Sequence, residues 1–472
     1  MTRVTGHRRR AFLCLTPLAA GCVPHAQLEV APEVFSTQWS YPTGQMEGAG
    51  SAATSAPASI PGPANLGAAL HSAELESLIA RAAEANTDIA VAGARIRQSR
   101  ALFGAARGAM LPIVSASAGL AGTRTQRTGD PFDFSDAFGG LDISFDVDLF
   151  GAGRAERGAA RARLRAAEFD RDATLLVVQS DVARAYVQRA TLAARIALLQ
   201  RNIEQAVELE RIIRARFDAG DATRVDLGLQ TIQVRQLQTE RLRLAQALDR
   251  TRTALAVLTG SEAPRFSLDP AALDSLSPPS LDPVQPSELV VRRPDIRAAE
   301  ARIDAAGGDV RQARAAFFPR IRLSASALGQ AATLSGPLSS TFAIGAGLLA
   351  PIFDRGRLRA GLELSAAQQV ESVELYRQVL LTSLAEVEDA LSAVERSRAR
   401  EALLIEVVEE ARLTARLARL QYIGGEADLQ RVLDAEQRLT EAEDGRAVAL
   451  QERLEAAIDL FKAMGGSPLG AS

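Results

Sequence analysis

The chain has 472 residues, of which 47% are hydrophobic and only 4% aromatic, and its formal net charge is −3. Because Ala, Leu, Val and Ile supply most of the apolar content, long and closely packed helices are favoured over a large aromatic-rich core. No basic block is long enough to follow a phosphate backbone, so nucleic acid is not expected as a partner.

The N-terminus has the layout of a secretory signal peptide, which we predict over residues 1–21. A cluster of arginines at residues 3–10 precedes a short apolar stretch that ends in small residues before Cys22. That stretch is far shorter than the roughly 20 apolar residues of a spanning helix, and no later segment supplies one, so a membrane crossing would require β-structure.

Residues 18–22 resemble a bacterial lipobox, and this resemblance predicts that Cys22 becomes the lipidated first residue of the mature protein. Ordinary signal cleavage, with an incidental Cys22, is the alternative. Residues 22–66 are rich in Pro, Gly, Ser and Ala without a sustained period. This composition predicts a lipidated, extended N-terminal segment.

The remainder of the chain contains an internal duplication, which divides it into units. The segment Asn86-Thr87-Asp88-Ile89 recurs as Arg293-Pro294-Asp295-Ile296, and further matched segments follow in the same order. The predicted units are a first repeat over residues 67–260, a Pro-rich connector or equatorial region over 261–290, a second repeat over 291–466 and a C-terminal tail over 467–472.

Each repeat is predicted to contain a helix, two strands, a long helix, a turn and a further helix. Pro294 suits the first helical position, whereas Pro112 and Pro319 end helices and begin strands. The long helices are predicted at about residues 155–217 and 358–422. At 1.5 Å per residue the first spans roughly 95 Å, and its apolar residues at seven-residue spacing predict helix-on-helix packing along its length.

The strand predicted at residues 141–149 alternates between an apolar face and an acidic face. Asp142, Asp146 and Asp148 share the acidic face. A half-buried surface strand of a soluble sheet would show the same alternation. The position of four such strands in a secreted chain without another means of spanning favours a membrane barrel.

The strands predicted at residues 321–327 and 342–348 alternate in the same way, which fits a lipid-facing apolar side and a small or polar lumen side. The candidate lumen residues are Asp142, Asp146, Asp148 and Arg322. Four strands cannot close a barrel, and open edges are not tolerated in lipid. Several chains must therefore share one barrel.

Three motifs occur in order along the second repeat. They are the run Arg-Arg-Pro-Asp-Ile-Arg-Ala-Ala-Glu at residues 292–300, the Phe318-Pro319 step, and Tyr422-x-x-Gly425 followed by residues 432–435. Together with the duplication, they resemble the TolC-like outer membrane factor family, in particular its NodT-type outer-membrane lipoproteins. The resemblance covers about residues 66–466.

The resemblance implies a fold that is mainly α with a small transmembrane β part: an internally duplicated, trimeric α-helical barrel plus a shared 12-stranded β-barrel, with four strands from each chain. It implies an exit duct of a tripartite efflux system, which passively conducts drugs or other small molecules across periplasm and outer membrane. The implied partners are a homotrimer, a periplasmic adaptor (membrane fusion) protein, an inner-membrane RND-type pump and outer-membrane lipid. The implied location is the cell outer membrane of a Gram-negative bacterium, lipid-anchored and extending into the periplasm.

In this family the helix turns at the periplasmic tip close the tunnel. Asp226 and Asp434 match family carboxylates, Tyr422 matches the aromatic residue before the second turn, and Arg431 departs from an acidic position. We hypothesise that Arg431 forms a closing ion-pair network with Asp428 or Asp434. The alternative is that these are solvated polar residues on helix ends.

An enzyme is not expected, because the sequence shows no His-based triad or metal cluster and His71 stands alone. We therefore predict no catalytic residue, no cofactor and no metal. The competing interpretation is a lipid-anchored periplasmic adaptor or another coiled-coil scaffold. The strand hairpins repeated in both halves favour the channel.

Overall fold

A computed structural model describes residues 66–125, 132–268, 272–278, 289, 292–331 and 337–466. The predicted signal peptide, Cys22 and the predicted C-terminal tail lie outside these residues.

Long helices and one four-stranded sheet make up the described part of the chain. The helices are α1 (Leu66–Ala69), α2 (Ala73–Ala85), α3 (Thr87–Gly108), α4 (Ala152–Ala219), α5 (Arg224–Leu258), α6 (Pro294–Ala315), α7 (Arg357–Ile423) and α8 (Leu429–Ala463). The strands are β1 (Ile113–Thr125), β2 (Phe132–Val147), β3 (Arg320–Ala331) and β4 (Leu338–Leu349). Short 3-10 helices at Ala263–Arg265 and Leu273–Ser275 lie in the connector.

The two halves of the chain repeat one structural unit. α3 and α6 have 22 residues each, α4 and α7 have 68 and 67, and α5 and α8 have 35 each. A strand hairpin stands in the same place in both halves, so the predicted order of elements is confirmed. At 1.5 Å per residue each long helix extends roughly 100 Å.

The helices lie side by side in a single layer. α4 packs against α3 and α5 on one side and against α6 and α8 on the other, while α7 packs against α6 and α8. One edge of the layer is therefore formed by α3 and α5, and the other by α7. Over the described residues, no helix combines the length and the apolar character needed to cross a membrane.

α4 and α6 approach each other closely through small side chains. A Cβ atom at Gly308 would lie only 2.7 Å from the Cβ atom of Ala159. The other buried residues of α6 near this contact include Ala301 and Ala305, and those of α4 include Ala155 and Ala162. Because protein interiors are close-packed, this contact between α4 and α6 leaves little room for a larger side chain.

A buried apolar cluster lies at mid-height, where α1 and α2 pack on α4 and α8. Phe266, Leu273 and Leu276 of the connector belong to this cluster. The Tyr186 hydroxyl on α4 accepts a hydrogen bond from Ser72 Oγ (3.0 Å) and donates one to Glu74 Oε2 (2.9 Å). These contacts fix the start of α2 against the long helix.

The sheet has the antiparallel order β1-β2-β3-β4, so each hairpin comes from one half of the chain. The central β2–β3 pair joins the halves, with Val147 opposite Ile321 and Asp142 opposite Ser326. β1 and β4 are the two edges of the sheet within one chain. All helices that follow or precede the strands leave from the same end of the sheet.

Candidate functional site

Two predicted lumen residues meet across the centre of the sheet. Asp146 on β2 lies directly opposite Arg322 on β3. The Arg322 Nε and Nη2 atoms donate to the two carboxylate oxygens of Asp146 at 2.6 and 2.9 Å. This is the bidentate geometry that gives Arg–carboxylate pairs their strength and orientation. The hairpins of the two repeats are thus joined by an ion pair as well as by the backbone ladder.

Asp142 lies on the same face of the sheet as this pair, four residues before Asp146. Its neighbours across the ladder are Ser115 and Ser326. Ser144 and Ser324 are also paired on this face. The opposite face presents Ile143, Phe145, Leu323 and Ala325. The segregation of polar and apolar faces follows from the two-residue period of a strand.

Asp148 does not lie on a strand, because β2 ends at Val147, two residues before the predicted end. Its carboxylate accepts hydrogen bonds from the backbone N–H groups of Gly153 (3.1 Å) and Arg154 (2.9 Å). Partial burial acts to raise the pKa of Asp148, but these bonds and the Arg154 guanidinium hold it below its ordinary value. The prediction that Asp148 continues the acidic strand face is wrong, since this residue caps the start of α4.

The candidates at the far helix turns have mainly capping roles within one chain. The carboxylate of Asp226 accepts from the backbone N–H and the hydroxyl of Thr223, and the Thr223 hydroxyl accepts from the Asp226 N–H. Asp428 is the N-cap of α8 and accepts from the Arg431 N–H at 3.0 Å. Such caps satisfy backbone groups that the helix leaves unpaired.

Arg431 and Asp434 are both exposed on the first turns of α8. Asp434 accepts a hydrogen bond from Gln430 Nε2 at 2.8 Å. Within the part of the chain that the structure describes, Arg431 forms no ion pair with Asp428 or Asp434. The predicted closing network therefore requires contacts between subunits, and it stays a prediction.

Tyr422 is buried at the end of α7 and contacts α4. The Arg216 guanidinium lies over its ring at 4.8 Å from the centroid, and Arg216 Nη2 donates to the Ile423 carbonyl at 3.2 Å. A second arginine, Arg419 on α7, also links these helices. It pairs with Glu436 on α8 (3.0 Å) and donates a hydrogen bond to the carbonyl of Gln205 on α4 (3.1 Å). We call Arg216 and Arg419, with these partners, the arginine clasp.

The arginine clasp joins the α4–α5 hairpin to the α7–α8 hairpin close to the helix turns. Burial raises the pKa of Glu436, and Arg419 opposes this effect only in part. The pair therefore contributes less than an ideal ion pair, because desolvation of the carboxylate offsets the attraction. The sequence pointed to Tyr422 but not to Arg216, Arg419 or Glu436, since charged residues are frequent along all these helices.

The chain is a single layer of helices, of which the longest extend roughly 100 Å, and the layer ends in a four-stranded antiparallel sheet. This fold is that of the TolC-like outer-membrane channels. The family model described as "Outer membrane efflux protein" matches residues 78–261 and 285–466. The chain belongs to this family.

Relatives and solved structures agree with this assignment. The chain is 33% identical to the pyoverdine export outer membrane protein OpmQ of Pseudomonas putida, over 84% of this chain and 87% of that protein. It is 30% identical to the outer membrane protein OprJ of Pseudomonas aeruginosa, over 84% of each chain. The outer-membrane channel OprN superposes with a TM-score of 0.78 at 27% identity, covering 84% of this chain and 91% of that one.

The predicted family, fold class, efflux function and outer-membrane location are confirmed. The chain is an outer-membrane exit duct of an efflux system, and its family and relatives are transport proteins. The adaptor or scaffold alternative is wrong, because the matches are to outer-membrane efflux proteins along most of the chain.

Proposed function

We propose that three copies of this chain close into one duct, in which a shared barrel of twelve strands is continued by a helical tunnel. The observation that carries this proposal is that one chain is open along its whole length. Its sheet has free edges at β1 and β4, and its helix layer has free edges at α3 with α5 and at α7. A closed ring of identical chains pairs every such edge.

The exposed apolar side chains along these edges support closure. On β4, Phe342 and Ile344 are 79% and 93% exposed in the single chain. The exposed apolar residues of the helix edges include Leu102 on α3, Val225, Ile232 and Leu242 on α5, and Leu403, Leu413, Leu417 and Leu420 on α7. Apolar surface on this scale marks an interaction site in a folded protein. Packing of α7 of one subunit against α3 and α5 of the next would cover both helix edges.

In this duct the apolar face of the sheet meets lipid, and Asp142, Asp146 and Arg322 line the lumen. We also propose that Cys22 carries the lipid anchor, which holds the N-terminus at the outer membrane. The long helices then extend into the periplasm, because they leave together from one end of the sheet.

The duct works passively and receives its cargo from an inner-membrane pump of the RND type through a periplasmic adaptor protein. The names of the relatives support small molecules as cargo: one is a toluene efflux pump outer membrane protein and another exports pyoverdine. The pump selects the cargo, since the described chain offers a wall of mixed polar residues and no built ligand site.

The gate of this duct is the ring of helix turns, where Tyr422, Asp226, Asp428, Arg431 and Asp434 lie. Within each chain the arginine clasp holds the two hairpins together. Between chains, Arg431 reaches a carboxylate of the neighbouring subunit. Exposed pairs contribute about 0–1 kcal/mol each, so a threefold ring of pairs closes the tip weakly enough for an adaptor to open it.

The double variant Arg431→Ala/Asp434→Ala should raise single-channel conductance in planar bilayers. Loss of about 1 kcal/mol in each of three subunits shifts the ratio of open to closed tips by on the order of a hundredfold. The matched control is Arg201→Ala/Glu204→Ala, which removes one exposed charge of each sign from α4, a helix with neighbours on both sides within the chain. Equal conductance for wild type and the tip variant would exclude this gate.

A further inference from the structure

We propose that the junction between the sheet and the helices carries a belt that binds anionic phospholipid headgroups of the periplasm-facing leaflet. This inference rests on the proposed duct, and it adds the class of lipid and the residues that recognise it. The junction belt consists of Leu149, Phe150, Ile352, Phe353, Arg355 and Arg357.

The apolar part of the belt lies in the two turns that lead from a strand into a long helix. Leu149 and Phe150 follow β2, and Ile352 and Phe353 follow β4. Ile352 and Phe353 are 92% and 84% exposed, and Leu149 is 58% exposed. Phe150 is 43% exposed, and its ring stacks on that of Phe318 with 4.7 Å between the centroids. Aromatic residues in this position are typical of the boundary between hydrocarbon and headgroups.

The exposure of the first of these turns is not simply a consequence of the open edges. Leu149 lies between β2 and α4, both of which have neighbours on each side within the chain. A second subunit packed along the edges would therefore leave this turn uncovered. The equivalent turn of the second repeat carries Ile352 and Phe353, but it joins β4 to α7, which are edge elements of the single chain. In the closed trimer this second turn therefore lies beside the seam between two subunits.

The charged part of the belt lies directly after the second apolar pair. Arg355 and Arg357 are exposed, and among the residues that the structure describes neither has an ion-pair partner. Asp354 is close in sequence, but its carboxylate accepts from the backbone N–H groups of Gly356 and Leu358 at 3.0 and 2.7 Å. Arg359, by contrast, pairs with Glu363 at 3.0 Å.

These two arginines do not stabilise the helix that they precede or begin. α7 has no acidic residue in its first turn, and the start of a helix favours anions over cations. α3, α5 and α6 carry Asp88, Asp226 and Asp295 in their first turns, whereas α4 and α8, like α7, carry no acidic residue there. Asp354 supplies one carboxylate at this helix start, so with Arg355 and Arg357 one positive charge remains for an external anion to neutralise.

A phospholipid phosphate fits this combination of groups. Guanidinium groups bind phosphate oxygens in a bidentate manner, and long arginine side chains reach the headgroups from an apolar base. A net negative headgroup is preferred over a zwitterionic one, because the two arginines are not fully neutralised within the chain. Each basic residue at a membrane surface contributes about a fivefold gain in lipid affinity.

Native mass spectrometry of the mature protein in detergent tests this belt. The wild type is titrated with phosphatidylglycerol and, separately, with phosphatidylcholine, and the ratio of the two affinities is compared with that of Arg355→Gln/Arg357→Gln. We expect the preference for phosphatidylglycerol to fall by about 25-fold in the variant. Arg201→Gln/Arg438→Gln, which removes two exposed arginines from α4 and α8, is the matched control, and its preference should remain that of the wild type.

The same spectra give the oligomeric state, so two failures are distinguishable. Equal preferences in wild type and belt variant, with both proteins trimeric, would overturn the lipid belt and leave the duct intact. A variant that falls apart into single chains would assign Arg355 and Arg357 to the subunit interface, and this result also overturns the belt. A monomeric wild type would contradict the duct itself.

Discussion

Replacing Arg293 with Ala should lower the free energy of unfolding by about 3 kcal/mol, because three helices lose a shared buried partner. The Arg293 side chain is only 8% exposed and lies within 2.7 Å of both the Asp295 and the Glu386 carboxylates. Its Nη1 atom donates to the Ala463 carbonyl at 2.9 Å. Burial acts to lower the pKa of Arg293, but the two carboxylates raise it above its ordinary value, so the guanidinium remains charged.

The thermal unfolding midpoint of the mature protein in detergent measures this effect. Arg311→Ala is the matched control, because Arg311 is an exposed arginine on the same helix α6. We expect the control to change the midpoint little, as surface substitutions usually alter stability by less than about 0.5 kcal/mol. Similar midpoints for both variants would show that Arg293 does not join α6, α7 and α8 energetically.

Gly308→Leu should destabilise the protein by about 3 kcal/mol, the upper part of the range for overpacked interiors. The added Cβ atom alone would approach the Ala159 Cβ to 2.7 Å and the Ala159 backbone to 3.1 Å. Backbone atoms of α4 cannot move aside without separating α4 from α6. The same unfolding measurement, together with the yield of folded protein from membranes, gives the result.

Gly307→Leu is the control for this prediction, because it makes the same chemical change one position earlier on α6. There the new Cβ atom would meet only the flexible ends of Gln369 (3.3 Å) and Arg311 (3.6 Å). Leucine favours a helix over glycine by about 0.8 kcal/mol, so this variant should be at least as stable as the wild type. If both leucines destabilise equally, close packing of α4 on α6 is not the reason.

Much of the fold could be predicted from the sequence because the chain repeats itself. The match between Asn86–Ile89 and Arg293–Ile296 gave two equivalent units, and proline positions separated helices from strands. The long helices lack proline and keep an apolar spacing, so their limits were predicted within a few residues. The end of β2 was misplaced because the side-chain alternation continues through Asp148, whereas the capping bonds that stop the strand depend on Gly153 and Arg154.

The contacts between repeats could not be predicted, because they depend on how distant segments are placed side by side. The pairing of Asp146 with Arg322 follows from the register of β2 on β3, and no turn residue sets that register. The arginine clasp depends in the same way on the position of α4 against α7 and α8. Sequence identified Tyr422 through its turn motif, but Arg216 is one of many arginines on a long helix.

Electron microscopy of the detergent-extracted mature protein tests the trimeric duct most directly. Class averages viewed along the particle axis should show a threefold ring around a central pore. Side views should show a cylinder longer than roughly 100 Å, as the length of α4 and α7 requires. Solid rods of single chains, without a pore in any end view, would contradict the shared barrel and the duct built on it.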